Sequence, residues 1–125
     1  MAILVDNFRW VLLVSGVLTL SMAWAIVSPQ AALRQTFGQA LEGPVAEVVV
    51  RNWAGLICLF ALLTIWSAFA PSLRLAVLPV VAAGKAMFIA LTLAQPTLRA
   101  KAAPVMAVDT VIVVLFVAYL LAARP

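Results

Sequence analysis

Residues 48–69 read VVVRNWAGLICLFALLTIWSAF. A run of this length and apolarity is enough for a helix to cross a bilayer, which takes ~20 predominantly apolar residues. Only its leading end breaks the pattern, at Arg51 and Asn52. A charge at the centre of a membrane helix costs about 2.5–3.5 kcal/mol on the insertion scale. Arg51 therefore calls for a partner or a function, and the rest of the chain can be searched for either.

The composition explains the setting. Of 125 residues, 67% are hydrophobic and 10% are charged, against about 25% charged in a soluble domain. Mean hydropathy is +1.22. These values predict an all-α fold: a polytopic membrane four-helix bundle, with residues 1–125 as a single membrane domain. The bilayer itself is the first partner. The net charge of +4 is scattered along the chain, so no basic patch is available for nucleic acid, and none is expected to bind. The chain has no histidine and a single cysteine, Cys58. Histidine-ligated haem, most zinc and copper sites and imidazole acid–base chemistry are therefore excluded. Neither a cofactor nor a metal is expected, and no catalytic motif points to an enzyme.

Outward from the central run, the predicted spans cover residues 10–27, 45–69, 73–94 and 104–123. Ala23-Trp24-Ala25 has the form of a signal-cleavage site, but Asp6 offsets Arg9 and the apolar run is long for a signal peptide, so a retained first span is expected. Ser15, Gly16 and Thr19 give that span a small-residue face for close helix approach. Ser28-Pro29 reads as a helix start. Leu33, Phe37 and Leu41 recur every four residues between polar positions. Residues 29–42 are therefore expected to form a short amphipathic interfacial helix between spans one and two, stopped by Gly43-Pro44. Ala70-Pro71-Ser72 is a tight turn, Pro104 can open the fourth span, and Tyr119 and Arg124 mark its exit. Four spans place both termini on one side. Arg9, Arg74 and Arg124 against Arg34, Arg99 and Lys101 give almost no charge asymmetry; the reading adopted is a multi-pass protein of the cell membrane with cytoplasmic termini.

Helix direction then groups the charges. The second span starts from the end where residues 29–42 lie, here termed the B end; the other is the A end. Arg51 lies about 9 Å in from the B end at the helical rise. Asp109 enters from the same end, and Lys85 lies about 12–15 Å from it. Glu47 stands one turn before Arg51. The expected polar cluster is thus Arg51, Lys85, Asp109 and Glu47, with Asn52, and with Thr92 or Gln95 at the rim. It is either a ligand pocket, a structural ion-pair network or a set of side chains snorkelling to the headgroups.

With these residues in view, the chain resembles a group of small, uncharacterised four-span bacterial integral membrane proteins. They share an arginine near the start of span two (Arg51, in R-N-W-x-G), a lysine in span three (Lys85, in G-K-x-x-F) and an aspartate opening span four (Asp109, followed by Phe116 and Tyr119). The resemblance implies the four-helix arrangement and a shared role for the charges, and no reaction. This chain departs from it in carrying valines after Asp109 where aromatic residues are common.

Three functions are compatible with the pattern. The favoured expectation is a small integral membrane binding or accessory subunit whose charged cluster mediates assembly, as a homo-oligomer or in a larger membrane complex. The alternative is a small-molecule-binding enzyme or carrier, with Lys85 as base or nucleophile, Asp109 as its partner and Arg51 holding an anionic group. The third is an ion-coupled transporter.

Overall fold

In the computed structural model, residues 2–123 are described. The chain is all-α: α1 (Ala2–Asp6), α2 (Phe8–Leu20), α3 (Trp24–Val27), α4 (Pro29–Phe37), α5 (Pro44–Phe69), α6 (Arg74–Leu93) and α7 (Arg99–Ala122). A 3-10 turn at Ser21–Ala23 joins α2 to α3, and another at Pro71–Leu73 leads into α6. Four stretches are long and apolar enough to cross a membrane: Phe8–Val27, Pro44–Phe69, Pro71–Leu93 and Arg99–Ala122.

Three element boundaries differ from the sequence expectation. The amphipathic helix is α4 and ends at Phe37 rather than at residue 42. Gly38 takes a left-handed φ of 77° and donates its N–H to the Arg34 carbonyl at 2.8 Å, the backbone form that terminates helices and that glycine adopts without a Cβ penalty. Gly43-Pro44 does not stop this helix but starts the next, with Pro44 at the first position of α5, where its missing N–H costs nothing. The last span begins at Arg99, not at Pro104, which sits inside α7. Arg99 and Lys101 are therefore helical rather than part of a loop. Arg124 lies outside the described residues.

The four long helices form a ring in which α2 packs on α5, α5 on α6, α6 on α7 and α7 on α2. Helices α2 and α5 approach closely at Gly16. A Cβ there would meet Ile65 Cγ1 at 2.5 Å and the Ala61 carbonyl oxygen at 3.3 Å. Small residues let membrane helices meet this closely, where packing rather than hydrophobic exclusion holds them together.

The core changes character along the bundle. At the A end it is built of large side chains: Phe8, Leu12, Leu78, Ile112, Phe116 and Tyr119. Phe8 stacks on Tyr119 with ring centroids 4.1 Å apart and meets Phe116 edge-on at 5.9 Å. Leu4 and Val5 of α1 pack against this cluster beside Leu120 and Ala123. The described N- and C-terminal segments thus lie at the same end. Toward the B end a second, smaller buried cluster is made of Ala25, Ala32 and Ala54. There α4 folds over the bundle, packing on α3, α5 and α7, and Phe37 reaches between Trp53 and Phe88. Ser28 is its N-cap residue but makes no side-chain capping bond.

Arg74 closes the A end. It is 7% exposed. Nε donates to the Ser67 carbonyl at 2.9 Å, Nη2 to the Ala68 carbonyl at 3.1 Å and Nη1 to the Tyr119 hydroxyl at 3.3 Å. The guanidinium also lies 5.6 Å from the Tyr119 ring centroid. A cation on the last carbonyls of a helix satisfies groups that have no intrahelical donor and opposes the helix dipole. Arg74 thereby ties α5, α6 and α7 together at the tight turn.

Two outcomes are expected. Gly16→Ala destabilises the chain in detergent by about 1–3 kcal/mol through overpacking, and Ile65→Ala added to it recovers most of the loss; a denaturant titration of the double-mutant cycle measures both. Arg74→Met costs about 2–3 kcal/mol because it strands buried carbonyls, and Arg74→Lys recovers only part, since an ammonium cannot reproduce the planar fork. Thermal unfolding in detergent checks this.

Candidate functional site: an ion pair inside the bundle

Lys85 and Asp109 are brought into direct contact. Lys85 Nζ donates to Asp109 Oδ1 at 2.9 Å and to Thr19 Oγ1 at 3.0 Å. The two charged side chains are only 12% and 16% exposed. The ammonium extends from α6 across the bundle, so one interaction joins α2, α6 and α7. Thr19 in turn donates its hydroxyl proton to the Ser15 carbonyl at 2.7 Å. That bond uses the proton and leaves the oxygen lone pairs to accept from Lys85. Thr19 was assigned to the small-residue face from sequence alone; its role as the third partner needs the helix ring, which hydropathy does not supply.

Depth follows from the helix boundaries. Asp109 lies about 15 Å along α7 from Arg99, and Lys85 about 12 Å from the Leu93 end of α6. Because α7 starts before Pro104, Asp109 sits near the middle of its helix rather than in the second turn. Each charge at such a depth would be costly alone. Together they form a short charge-assisted bond, and the threonine supplies a further acceptor.

The other predicted members do not join them. Arg51, Asn52 and Glu47 are exposed on α5, and none forms an ion pair among the described residues. The expected cluster is corrected to this extent: Arg51 has a comparable depth, about 10 Å from Pro44, but points elsewhere. The face of α5 that packs inward carries Val50, Ala54, Ala61, Thr64 and Ala68. Arg51 follows Val50 by one residue and is therefore turned about 100° from it, and Asn52 about 200°. Glu47 lies in the first turn of α5, where it is exposed. Gln95 is exposed after α6, whereas Thr92 is buried toward the B end.

Two surface grooves flank this arrangement, and neither is lined by Lys85 or Asp109. One, of about 250 Å³, runs between α2 and α7 and is lined by Val14, Ser15, Leu18, Val108, Val111 and Ile112 among others. The second, of about 290 Å³, opens at the B end between α4, α5 and α6. Cys58 is free and half-buried within α5. No group of metal-ligating side chains occurs among the described residues.

No protein-family model, no curated protein and no solved structure matches the chain. The geometry of the residues is therefore what a functional reading has to work from.

Lys85→Met and Asp109→Leu are each expected to destabilise by about 3–5 kcal/mol, because each strands one buried charge. The double variant is expected to regain most of that loss. Thr19→Val should cost about 1 kcal/mol. A double-mutant cycle read by unfolding in mild detergent measures the coupling.

Proposed function

We propose that the protein is a non-catalytic, multi-pass membrane subunit, in which the Lys85–Asp109–Thr19 triad fixes the bundle and the outward face of α5 recruits a partner span. The observation that carries the reading is the contrast between the two sets of charges. Lys85 and Asp109 satisfy each other internally at 2.9 Å. Arg51 and Glu47 are exposed on one helix and have no ion-pair partner among the described residues.

The membrane setting rests on the outer surface. Trp10, Val17, Leu59, Leu62, Trp66, Leu75, Leu91 and Val114 are large, apolar and exposed, and such residues recur along all four long helices. A soluble monomer rarely exposes an apolar patch beyond a few hundred Å². Lipid removes that penalty. The same lipid makes Arg51 and Asn52 a basis for association, because polar side chains on an apolar helix face gain from a complementary partner span. An acidic or amide-bearing helix, from a second copy or from a larger complex, has the matching chemistry. The amphipathic α4 lies at the interface on the B side, and the reading keeps both termini cytoplasmic.

A small-molecule site at the triad is the second reading. It is favoured by one detail: no side chain donates to Asp109 Oδ2, and the Lys85 ammonium uses two of its three protons among the described residues. A polar ligand group that both donates and accepts would fit those valences.

Cross-linking and size analysis in native-like nanodiscs separate the readings. Arg51→Leu with Asn52→Leu is expected to abolish the oligomer or the co-purifying complex while leaving the unfolding midpoint unchanged. A wild-type chain that runs as a lone monomer in native membranes would overturn the assembly role.

A further inference from the structure

The B-end groove has a layered chemistry. Its walls are Trp53, Phe88 and Leu91, with Phe37 of α4 and with Leu98 at the α6–α7 connection. Thr92 also lines it and is 5% exposed. The hydroxyls of Ser15, Thr19, Thr64, Ser67 and Thr110 in the long helices all donate back to a carbonyl of their own helix. The Thr92 side chain makes no hydrogen bond among the described residues. Although the residue is buried, its hydroxyl keeps an open valence, and the groove it lines is where a partner can reach it.

Three exposed cations neighbour the groove lining in the chain or in space. Arg99 adjoins Leu98, and its Nε donates to the Leu93 carbonyl at 2.5 Å, which holds the guanidinium over the end of α6. Arg34 adjoins the groove residue Leu33. The Lys101 stem lies against Gly38, where an added Cβ would meet its Cγ at 3.4 Å. Arg34, Arg99 and Lys101 are all exposed. The groove thus combines apolar and aromatic walls, one hydroxyl that makes no hydrogen bond among the described residues, and exposed basic residues beside its lining.

The geometry points to a site for one anionic phospholipid. Its acyl chain lies along Phe88, Leu91 and Trp53, an ester carbonyl accepts from Thr92, and the phosphate sits among Arg99, Arg34 and Lys101. Basic pockets between membrane helices recognise acidic headgroups in this way, and arginine matches phosphate with a planar pair of donors. The inference rests on the membrane setting proposed above but not on the role assigned to Arg51 or to the triad.

The test uses the full chain with a single tryptophan retained. One version keeps Trp53, with phenylalanine at positions 10, 24 and 66; a reference version keeps Trp66, near the A end. Each is reconstituted in vesicles of phosphatidylcholine with a fixed minor fraction of brominated phosphatidylglycerol or brominated phosphatidylcholine, and circular dichroism confirms the helical fold. Trp53 is expected to be quenched preferentially by the brominated anionic lipid, and Trp66 equally by both. Arg34→Gln with Lys101→Gln, which leaves the Arg99 cap in place, should lower the Trp53 preference by about fivefold for each cation removed at low salt. Thr92→Val should reduce quenching of Trp53 by both lipids relative to Trp66. Equal quenching of Trp53 by both lipids in the wild-type background overturns the anionic-lipid site while leaving the membrane setting intact. Absence of quenching at both tryptophans overturns the membrane setting as well.

Discussion

The bundle depends on one constraint: a lysine and an aspartate in an apolar interior must find each other. The Lys85–Asp109 bond fixes the rotation of α6 against α7, because neither helix can turn about its axis without exposing a charge to hydrocarbon. Thr19 brings α2 under the same constraint. The remaining long helix, α5, has no part in the triad. Against α2 it is held by steric fit, where the missing side chain of Gly16 admits Ala61 and Ile65. The triad therefore orients three helices, while close packing at Gly16 and the Arg74 bonds to its last carbonyls attach the fourth. A well-packed apolar substitute for the pair need not be less stable. What the pair supplies is a single register, since sliding α6 by a turn would strand both charges.

The triad also lies between two differently built halves. Toward the A end, large side chains interlock and Arg74 joins the turn to Tyr119. Toward the B end, buried alanines replace them, and α4 supplies the bulk the spans lack. Phe37 occupies the space between α5 and α6 that the short turn closes at the other end. The groove is what remains of that space. Its position follows from tethering α5 and α6 tightly at one end only.

The number of long helices and their approximate extents were legible because a bilayer-length apolar run is a strong signal. That Lys85 and Asp109 share one half of the bundle was legible for a different reason, although the sequence grouped them with Arg51 and Glu47. Helix direction and rise alone place both residues in one half of the bundle, and opposite charges at one depth have few other options. The directions taken by Arg51, Asn52 and Glu47 were not legible. A span that is apolar all round carries almost no periodicity to show which face turns inward, and the choice is made by small residues such as Ala54 and Ala61. Arg74 was missed because it follows a turn, where an arginine reads as a solvated charge. Only the folded chain shows that its stem turns back onto the carbonyls of α5. The start of α7 was misplaced because Pro104 looks like a first-turn residue. Inside the helix it forgoes one backbone bond, a loss the apolar length of the span outweighs.

These two classes of charge bear differently on function. A pair that neutralises itself inside the bundle contributes nothing to recognition from outside. A cation left on an outer face has not been compensated by the fold. In water such a residue would need no explanation, since solvent would satisfy it. In the membrane setting proposed, on a surface otherwise rich in leucine, valine and tryptophan, the same arginine is costly against lipid and gains from an interface. The B end concentrates this imbalance, with Arg51 on α5 and with Arg34, Arg99 and Lys101 around the groove mouth. Anionic headgroups can balance the latter at the membrane surface, but not Arg51 at its depth without drawing the side chain away from the span. The proposed lipid site and the proposed helix-docking face thus answer one excess of positive charge in two ways, divided according to how far each cation lies from the interface.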